Sequence, residues 1–422
     1  MLWRGAQLRV AQALGHRRLA LAIGQHHSAG QGARLGEKVD RIHAVAPVRV
    51  RVQDGDRPRD SRGRGPRPRT VAAEDSRVSE ISYKSSGGYL TAAERRSGDA
   101  CSMTYARSIL VPPGSPGTYH CVSRCVRRAW LCGEDRESGR SYEHRQQWVE
   151  DRIGELAEIF AVAVWGYAVM SNHLHVIVQV IPQAAAHWSA TEVAARWSRL
   201  YPRRDQDASK RAEVLAGNDL RIKELRERLC CLSWFMRCLA EPIARRANRE
   251  DGCKGHFWEA RFKCQTLLDE TAVLSAMTYV DLNPVRARIC DRLEDSAHTS
   301  ARARLDSIEK HRNQVDQPLA PVLGLRGFGV LMLKQRDYLE LVDHTGRQIH
   351  PGKRSAISDP PPAALARIGY TEDQWQRQVL AVGSRYFRAI GDADVLIEKA
   401  QQIDQSWLRG IGIARQLRRM AA

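Results

Sequence analysis

The chain has 422 residues, which is room for two or three domains that each bury a core. Its formal charge is +18, from 66 basic and 48 acidic residues, and this excess favours nucleic acid over a membrane as the polyanionic partner. No apolar run reaches the roughly 18 residues that a membrane helix needs. The start of the chain lacks a signal-peptide pattern and the ten cysteines form no CxxC pair, so we expect a cytoplasmic protein with reduced thiols.

Residues 1–102 differ in composition from the rest of the chain. They are rich in Arg, Gly, Ala and Gln and carry low-complexity runs, so they bury too little apolar surface to offset the entropy of ordering them. We expect a disordered basic extension, or upstream sequence preceding a true start at Met103. The alternative is a basic arm that holds nucleic acid without sequence preference.

The globular part begins near residue 103 and opens with a strand, a helix and two strands. Apolar patterning predicts strands at Gly117–Val126, Val162–Val169 and His173–Val180, and an amphipathic helix at Arg140–Ile159. This order is typical of an α+β sandwich with an antiparallel sheet.

Two histidines stand at the start of the third predicted strand. Because residues i and i+2 of a strand point to the same face, His173 and His175 lie side by side while Leu174 faces the other way. Two neutral imidazoles can bind one divalent metal ion and leave coordination positions open for a phosphate oxygen. A half-buried pair of strand histidines without a metal is the alternative.

The next segments are mostly helical. A polar stretch near residues 182–220 is interpreted as a helical insertion, Arg221–Arg249 as a stronger helical region, and Gly255–Leu268 as a strand or hairpin. A further helix is predicted from Thr271 to Asn283, with Asp269 or Thr271 as its N-cap and Pro284 beyond its end.

Tyr279 and Asn283 lie one turn apart on that last helix. Two imidazoles and the Asn283 amide oxygen would make a ligand set that Mg or Mn accepts, although Asn283 is equally interpreted as a helix C-cap. A metal ion beside a tyrosine indicates transesterification at a phosphodiester, with Tyr279 as the nucleophile.

Four motifs occur in one order across residues 105–300. They are Gly117-Thr-Tyr-His-Cys-Val-Ser-Arg124, Tyr167-Ala-Val-Met-Ser-Asn-His-Leu-His175, Gly255-His-Phe-Trp-Glu-Ala-Arg-Phe-Lys263 and Tyr279-Val-Asp-Leu-Asn-Pro-Val-Arg-Ala287. On these motifs the chain resembles the HUH single-tyrosine transposases, in particular the bacterial REP-associated tyrosine transposases. The resemblance implies a ferredoxin-like α+β sandwich in a transposase domain at 103–305, active in the bacterial cytoplasm at the nucleoid.

The resemblance also implies an activity. The family cleaves single-stranded DNA at hairpin sequences and rejoins it through a 5′-phosphotyrosine, which implies Tyr279 as nucleophile and a Mg or Mn cofactor at His173 and His175. Two alternatives remain: a hairpin-binding protein that does not cleave, and a metallohydrolase that activates water. The expected partner is single-stranded or hairpin DNA, bound by a monomer or homodimer, with no membrane.

Basic residues near these motifs are candidates for phosphate contacts. Arg261, Lys263 and Arg286 either contact DNA or form solvated surface, and the aromatic pair Phe257 and Trp258 either stacks on bases or packs in the core. Residues 318–422, which begin with a predicted linker at Pro318–Gly329, are expected to form a small basic α-helical module.

Overall fold

The predicted strands form the middle of a mixed sheet. The computed structural model describes residues 107–126, 131–135, 139–202, 207–326, 331–349, 360–384, 386 and 388–419. The extension predicted at 1–102 lies outside these residues. The described strands are β1 (Gly117–Arg124), β2 (Val162–Val169), β3 (His173–Val180), β4 (Lys263–Leu267), β5 (Pro318–Leu319), β6 (Leu323–Gly324), β7 (Leu331–Lys334) and β8 (Ala389–Ile390).

Six of these strands form one sheet in the order β6-β2-β3-β1-β4-β8. The neighbours pair antiparallel except for β4 and β8, which are parallel. Strand β3 therefore lies between β1 and β2, which the first long helix connects. β5 and β7 form a separate antiparallel pair.

Helices cover both faces of this sheet. They are α1 (Arg107–Leu110), α2 (His144–Ile159), α3 (Pro182–Ala186), α4 (Ala190–Leu200), α5 (Ala208–Ala216), α6 (Asp219–Leu229), α7 (Leu232–Glu250), α8 (Glu270–Asp281), α9 (Asn283–Arg286), α10 (Ser300–Lys310), α11 (Gln335–Ile349), α12 (Ala363–Arg367), α13 (Glu372–Ser384), α14 (Ala393–Gln402) and α15 (Ile411–Arg419). Short 3-10 turns occupy Leu293–Asp295 and Arg312–Asp316.

The alternation along β3 divides the protein into two cores. Leu174, Val176 and Val178 point toward α2 and α7 and join one buried cluster. Ile177, on the same face as the histidines, joins a second cluster with α8. The site residues therefore lie on a sheet face that is covered by helices along part of its length.

Two predicted helical boundaries need correction. The region Arg221–Arg249 is two helices, because the chain leaves helical geometry at Cys230 and Cys231, between α6 and α7. The tyrosine helix ends at Asp281 with Leu282 as its C-cap, so Asn283 is not the cap residue and instead begins α9. Its N-cap is Asp269, whose side chain accepts a hydrogen bond from the backbone N–H of Ala272 at 2.7 Å.

The helices predicted after residue 318 are present, but they share a core with the tyrosine helix. Tyr338 of α11 and Trp375 of α13 are fully buried in the cluster that contains Met277 of α8. The range predicted as a linker contains β5 and β6, and β6 pairs with the outer edge of β2. In the described part of the chain, every helix is too short or too polar to cross a membrane.

Candidate active site

The two histidines lie at the start of β3 with their rings 4.8 Å apart between centroids. His173 is half-buried, and its Nδ1 is 2.5 Å from Oδ1 of Asn172. His175 is buried, and its Nε2 has no hydrogen-bond partner among the described residues. A buried ring nitrogen without a partner is costly unless something binds it, so His175 Nε2 is a candidate metal-ligating atom.

A third histidine joins this pair from the neighbouring strand. β1 pairs with β3 so that His120 lies next to His175, with stacked rings 5.1 Å apart. His120 Nε2 is 2.8 Å from His175 Nδ1, and its Nδ1 is 2.7 Å from Oε1 of Gln265 on β4. Both nitrogens of His120 are therefore occupied, which makes it a partner of His175 rather than a ligand.

All three histidines are neutral at pH 7. Burial lowers the pKa of His120 to about 4. Burial, aided by the charge of Arg124, lowers the pKa of His173 to about 4. Burial, the two other histidines, Arg124 and Arg286 lower the pKa of His175 well below 6.5. Neutral imidazoles are the form that binds metal ions.

Tyr279 approaches this cluster from α8. Its ring centroid is 5.9 Å from that of His175 and 6.1 Å from that of His120, both in edge-to-face geometry. The guanidinium carbon of Arg286 lies 4.6 Å from the centroid of the tyrosine ring. The side chain is partly buried.

A buried polar network holds the end of α8 in place. Asp281, two residues after Tyr279, accepts hydrogen bonds from the Ser300 hydroxyl, from the Ala301 N–H at 3.1 Å and from the Tyr338 hydroxyl at 2.6 Å. Removing one member of a fully buried network leaves the others unsatisfied, so this anchor fixes the helix against α10 and α11.

Asn283 lies one turn beyond Tyr279, as the spacing predicts. It is buried, and its side-chain N–H donates to the Tyr279 carbonyl oxygen at 3.2 Å. This bond uses the amide nitrogen, so the Asn283 amide oxygen keeps its lone pairs. Among the described residues no cluster of three His, Cys, Asp or Glu side chains forms a metal site.

The basic residues named from the motifs are exposed. Arg286 follows Tyr279, Lys263 begins β4, and Arg261 precedes it. Lys263 lies opposite Val122 of β1, two positions along from the His120–Gln265 pair. Phe257 is buried in the core, and the Trp258 indole N–H donates to the Ala240 carbonyl oxygen at 2.9 Å.

No family model and no curated protein matches the chain. The chain is similar to a solved structure of the REP-associated tyrosine transposase bound to a REP hairpin. The two are 15% identical over 49% of this chain and 83% of that chain, with a TM-score of 0.24. A likeness of that size carries no inference about activity.

Sequence patterns did not indicate Arg124, Gln265 or Gly383 as site residues. Arg124 is the exposed last residue of β1, opposite His173. Gly383 of α13 leaves room for the tyrosine, because a Cβ atom there would lie 2.6 Å from Tyr279 Cε2. Strand register could have indicated Arg124 and Gln265, whereas no local pattern places Gly383 beside a residue about a hundred positions away.

One concave surface of the protein lies away from these residues. A cavity of about 820 Å³ is lined mainly by the polar side chains of α10 and its neighbours, including Glu150, His298 and Arg302. The histidines of β3 and Tyr279 do not line this cavity.

Proposed function

We propose that the chain is a metal-dependent nuclease and strand transferase of the HUH single-tyrosine class, in the REP-associated branch, acting on hairpin DNA. The observation that carries the proposal is the convergence of His173, His175 and Tyr279. They come from a strand and a helix about a hundred residues apart, and their rings lie within 6 Å of one another in the pairs described above.

The connectivity of the sheet supports this proposal. β1, α2, β2, β3, a helical segment and β4 follow one another, and β3 is inserted between β1 and β2. This is the split βαβ arrangement of ferredoxin-like folds. The four central strands have the order β2-β3-β1-β4, and the histidine pair lies on β3.

The ligand chemistry supports a divalent metal ion at the histidines. His175 has an unpaired buried Nε2, and His173 uses its Nδ1 toward Asn172, which leaves its Nε2 for a ligand. With the Asn283 oxygen as a third candidate, the set is one that Mg or Mn binds. When bound, the ion supplies polarisation of a nonbridging phosphate oxygen.

The chain's own residues would carry out one transesterification. The Tyr279 hydroxyl loses its proton and its oxygen attacks phosphorus, and the bond from phosphorus to the 3′ oxygen breaks. The 3′ oxygen takes up a proton and leaves as a hydroxyl, while the phosphate stays joined to the tyrosine and to the 5′ side of the downstream strand. Reversal on another 3′-hydroxyl would rejoin DNA without ATP.

The positive charges around the site support a DNA substrate. Arg286 lies on the tyrosine ring, Arg124 lies opposite His173, and Lys263 and Arg261 are exposed at the start of β4. Arg124 and Lys263 lie at the end of the sheet that carries His173, and Arg286 lies on the tyrosine ring, so these residues and Arg261 are candidate phosphate contacts. The proposed localisation is the cytoplasm at the nucleoid.

A labelled hairpin tests the proposal. With Mn, a 3′-labelled hairpin oligonucleotide should become covalently attached to the protein in denaturing gels, whereas a 5′ label should appear in a shorter released strand. The Tyr279→Phe variant should bind the hairpin and form no adduct. Binding without an adduct in the wild type would support the non-cleaving alternative, and cleavage without an adduct would support a metallohydrolase.

A further inference from the structure

A chain of hydrogen bonds runs from α13 to the candidate metal ligand His175. The Gln265 side-chain N–H groups donate to two backbone carbonyl oxygens, those of Val382 at 3.1 Å and Tyr386 at 2.7 Å. Gln265 Oε1 contacts His120 Nδ1, and His120 Nε2 contacts His175 Nδ1. Each of these side chains is buried or half-buried, so water competes little for the bonds.

The two carbonyls determine the direction of every bond in this chain. A carbonyl oxygen only accepts, so the nitrogen of the Gln265 amide must face α13 and its oxygen must face His120. That oxygen also only accepts, so the proton of neutral His120 is on Nδ1. His120 Nε2 is then an acceptor, and the proton of neutral His175 is on Nδ1. The Nε2 lone pair of His175 is left free.

We propose that Gln265 and His120 are positioning residues that select the metal-binding tautomer of His175. The other tautomer would put a proton on the buried Nε2 and turn two acceptors toward each other at the His120–His175 contact. The origin of the selection lies in the backbone at the end of α13 and just beyond it, about 120 residues from Gln265 in sequence. The inference rests on the proposed function only in that His175 is taken to bind a metal ion, since its tautomer does not depend on DNA cleavage.

Removing the acceptor of Gln265 tests this proposal. Gln265→Leu leaves His120 free to carry its proton on either nitrogen, so His175 should populate both tautomers. Outer partners of metal-binding histidines typically change metal affinity by about 10–100-fold when they are replaced, and we expect a loss of Mn affinity in that range. The matched control is Gln179→Leu on the same face of the sheet, where Gln179 accepts from the Trp165 indole N–H at 2.9 Å, away from the histidines.

Two measurements read the result without DNA. Nitrogen-15 NMR of histidine-labelled, metal-free protein reports which ring nitrogen of His175 carries the proton, with His175→Ala used to assign its signals. Mn titration followed by electron paramagnetic resonance reports affinity for the metal alone. Thermal melts confirm that each variant is folded at the temperature used.

In the wild type and in Gln179→Leu, the proton of His175 should be on Nδ1. In Gln265→Leu, the protein should show a mixture of both tautomers. A folded Gln265→Leu variant with one unchanged tautomer and wild-type Mn affinity would overturn the proposal, as would a proton on Nε2 in the wild type. If Gln265→Leu does not fold, His120→Leu takes its place, because it deletes the acceptor of His175 Nδ1 directly. If the wild type shows the expected tautomer but forms no DNA adduct, the proposed function is wrong and this inference still holds.

Discussion

Gly383 is the residue whose replacement most directly tests the position of the tyrosine. It lies near the end of α13, and an added Cβ would be 2.6 Å from Cε2 and 2.7 Å from Cζ of Tyr279. Ordinary contacts between carbon atoms are about 3.5–4.0 Å. In Gly383→Ala the ring or the helix must therefore move by about 1 Å. The ring has little room, because His120 and His175 meet it on one side and Arg286 lies on its face.

Two opposing effects set the change in the free energy of unfolding of Gly383→Ala. Replacing glycine by alanine inside a helix stabilises by up to about 1 kcal/mol, whereas forcing extra atoms into a packed position costs about 1–3 kcal/mol. We expect Gly383→Ala to be neutral or to destabilise by up to about 2 kcal/mol. The matched control is Gly154→Ala in the middle of α2, where an added Cβ has no neighbour within 4 Å, and it should gain about 0.5–1 kcal/mol.

The functional effect should exceed the effect on stability. A misplacement of about 1 Å at a reacting atom can cost about 100-fold in rate, so adduct formation by Gly383→Ala should fall by about 10–100-fold. Mn affinity should not change, because the histidines belong to β3. The assays are urea unfolding and the rate of adduct formation on one hairpin. A Gly383→Ala protein that gains stability like Gly154→Ala and keeps its rate would refute the packing of α13 on Tyr279.

Three further outcomes are expected. Tyr279→Phe should abolish the adduct at every Mn concentration, whereas His175→Ala should lower Mn affinity and regain some cutting at high Mn by mass action; an adduct in Tyr279→Phe would assign the nucleophile elsewhere. If four basic residues at the site contact phosphates, log affinity for the hairpin should fall with log salt at a slope of about −0.7 per contact, or about −3, and a flat plot would contradict this. Burial acts to raise the pKa of Glu150, but hydrogen bonds from His298 and Tyr167 outweigh it, so the folded pKa is lowered. The stability that Glu150 contributes is therefore present above its unfolded pKa and lost as pH falls below about 4.5. Urea unfolding at several pH values should show that the difference in unfolding free energy between the wild type and Glu150→Gln shrinks over that range. A difference that stays constant with pH would contradict this reasoning.

Patterns that depend on near neighbours were sufficient for much of the fold. The strands predicted at Val162–Val169 and His173–Val180 are confirmed residue for residue, because Ser171 and Asn172 separate the two apolar runs. The tyrosine helix is confirmed to within two residues at either end. The split at Cys230 and Cys231 was missed because the apolar stripe continues through both helices, so periodicity alone contains no break.

Patterns were not sufficient where a contact joins distant segments. The sequence predicted that His173 is a neighbour of His175, because both lie on one strand. The partners His120 and Gln265 lie on two other strands, so finding them requires the register of those strands. Alternation tells which face a residue occupies and not which strand lies beside it. The roles of the site residues, including the metal ligands and phosphate contacts, stay predictions.

The contacts of α13 bear on where a functional unit of this chain can end. A separate C-terminal module could be removed and leave the site unchanged, and the linker predicted at Pro318–Gly329 favours such a boundary. The Val382 and Tyr386 carbonyls, however, are the acceptors that orient Gln265, and Gly383 borders the tyrosine ring. Without them the Gln265 amide would be free to reverse, and with it the direction of both histidine bonds. A unit that ends near residue 305 would contain the histidines and the tyrosine without the carbonyls that hold Gln265 and without the glycine beside the tyrosine ring, so we expect the site to require residues beyond that boundary.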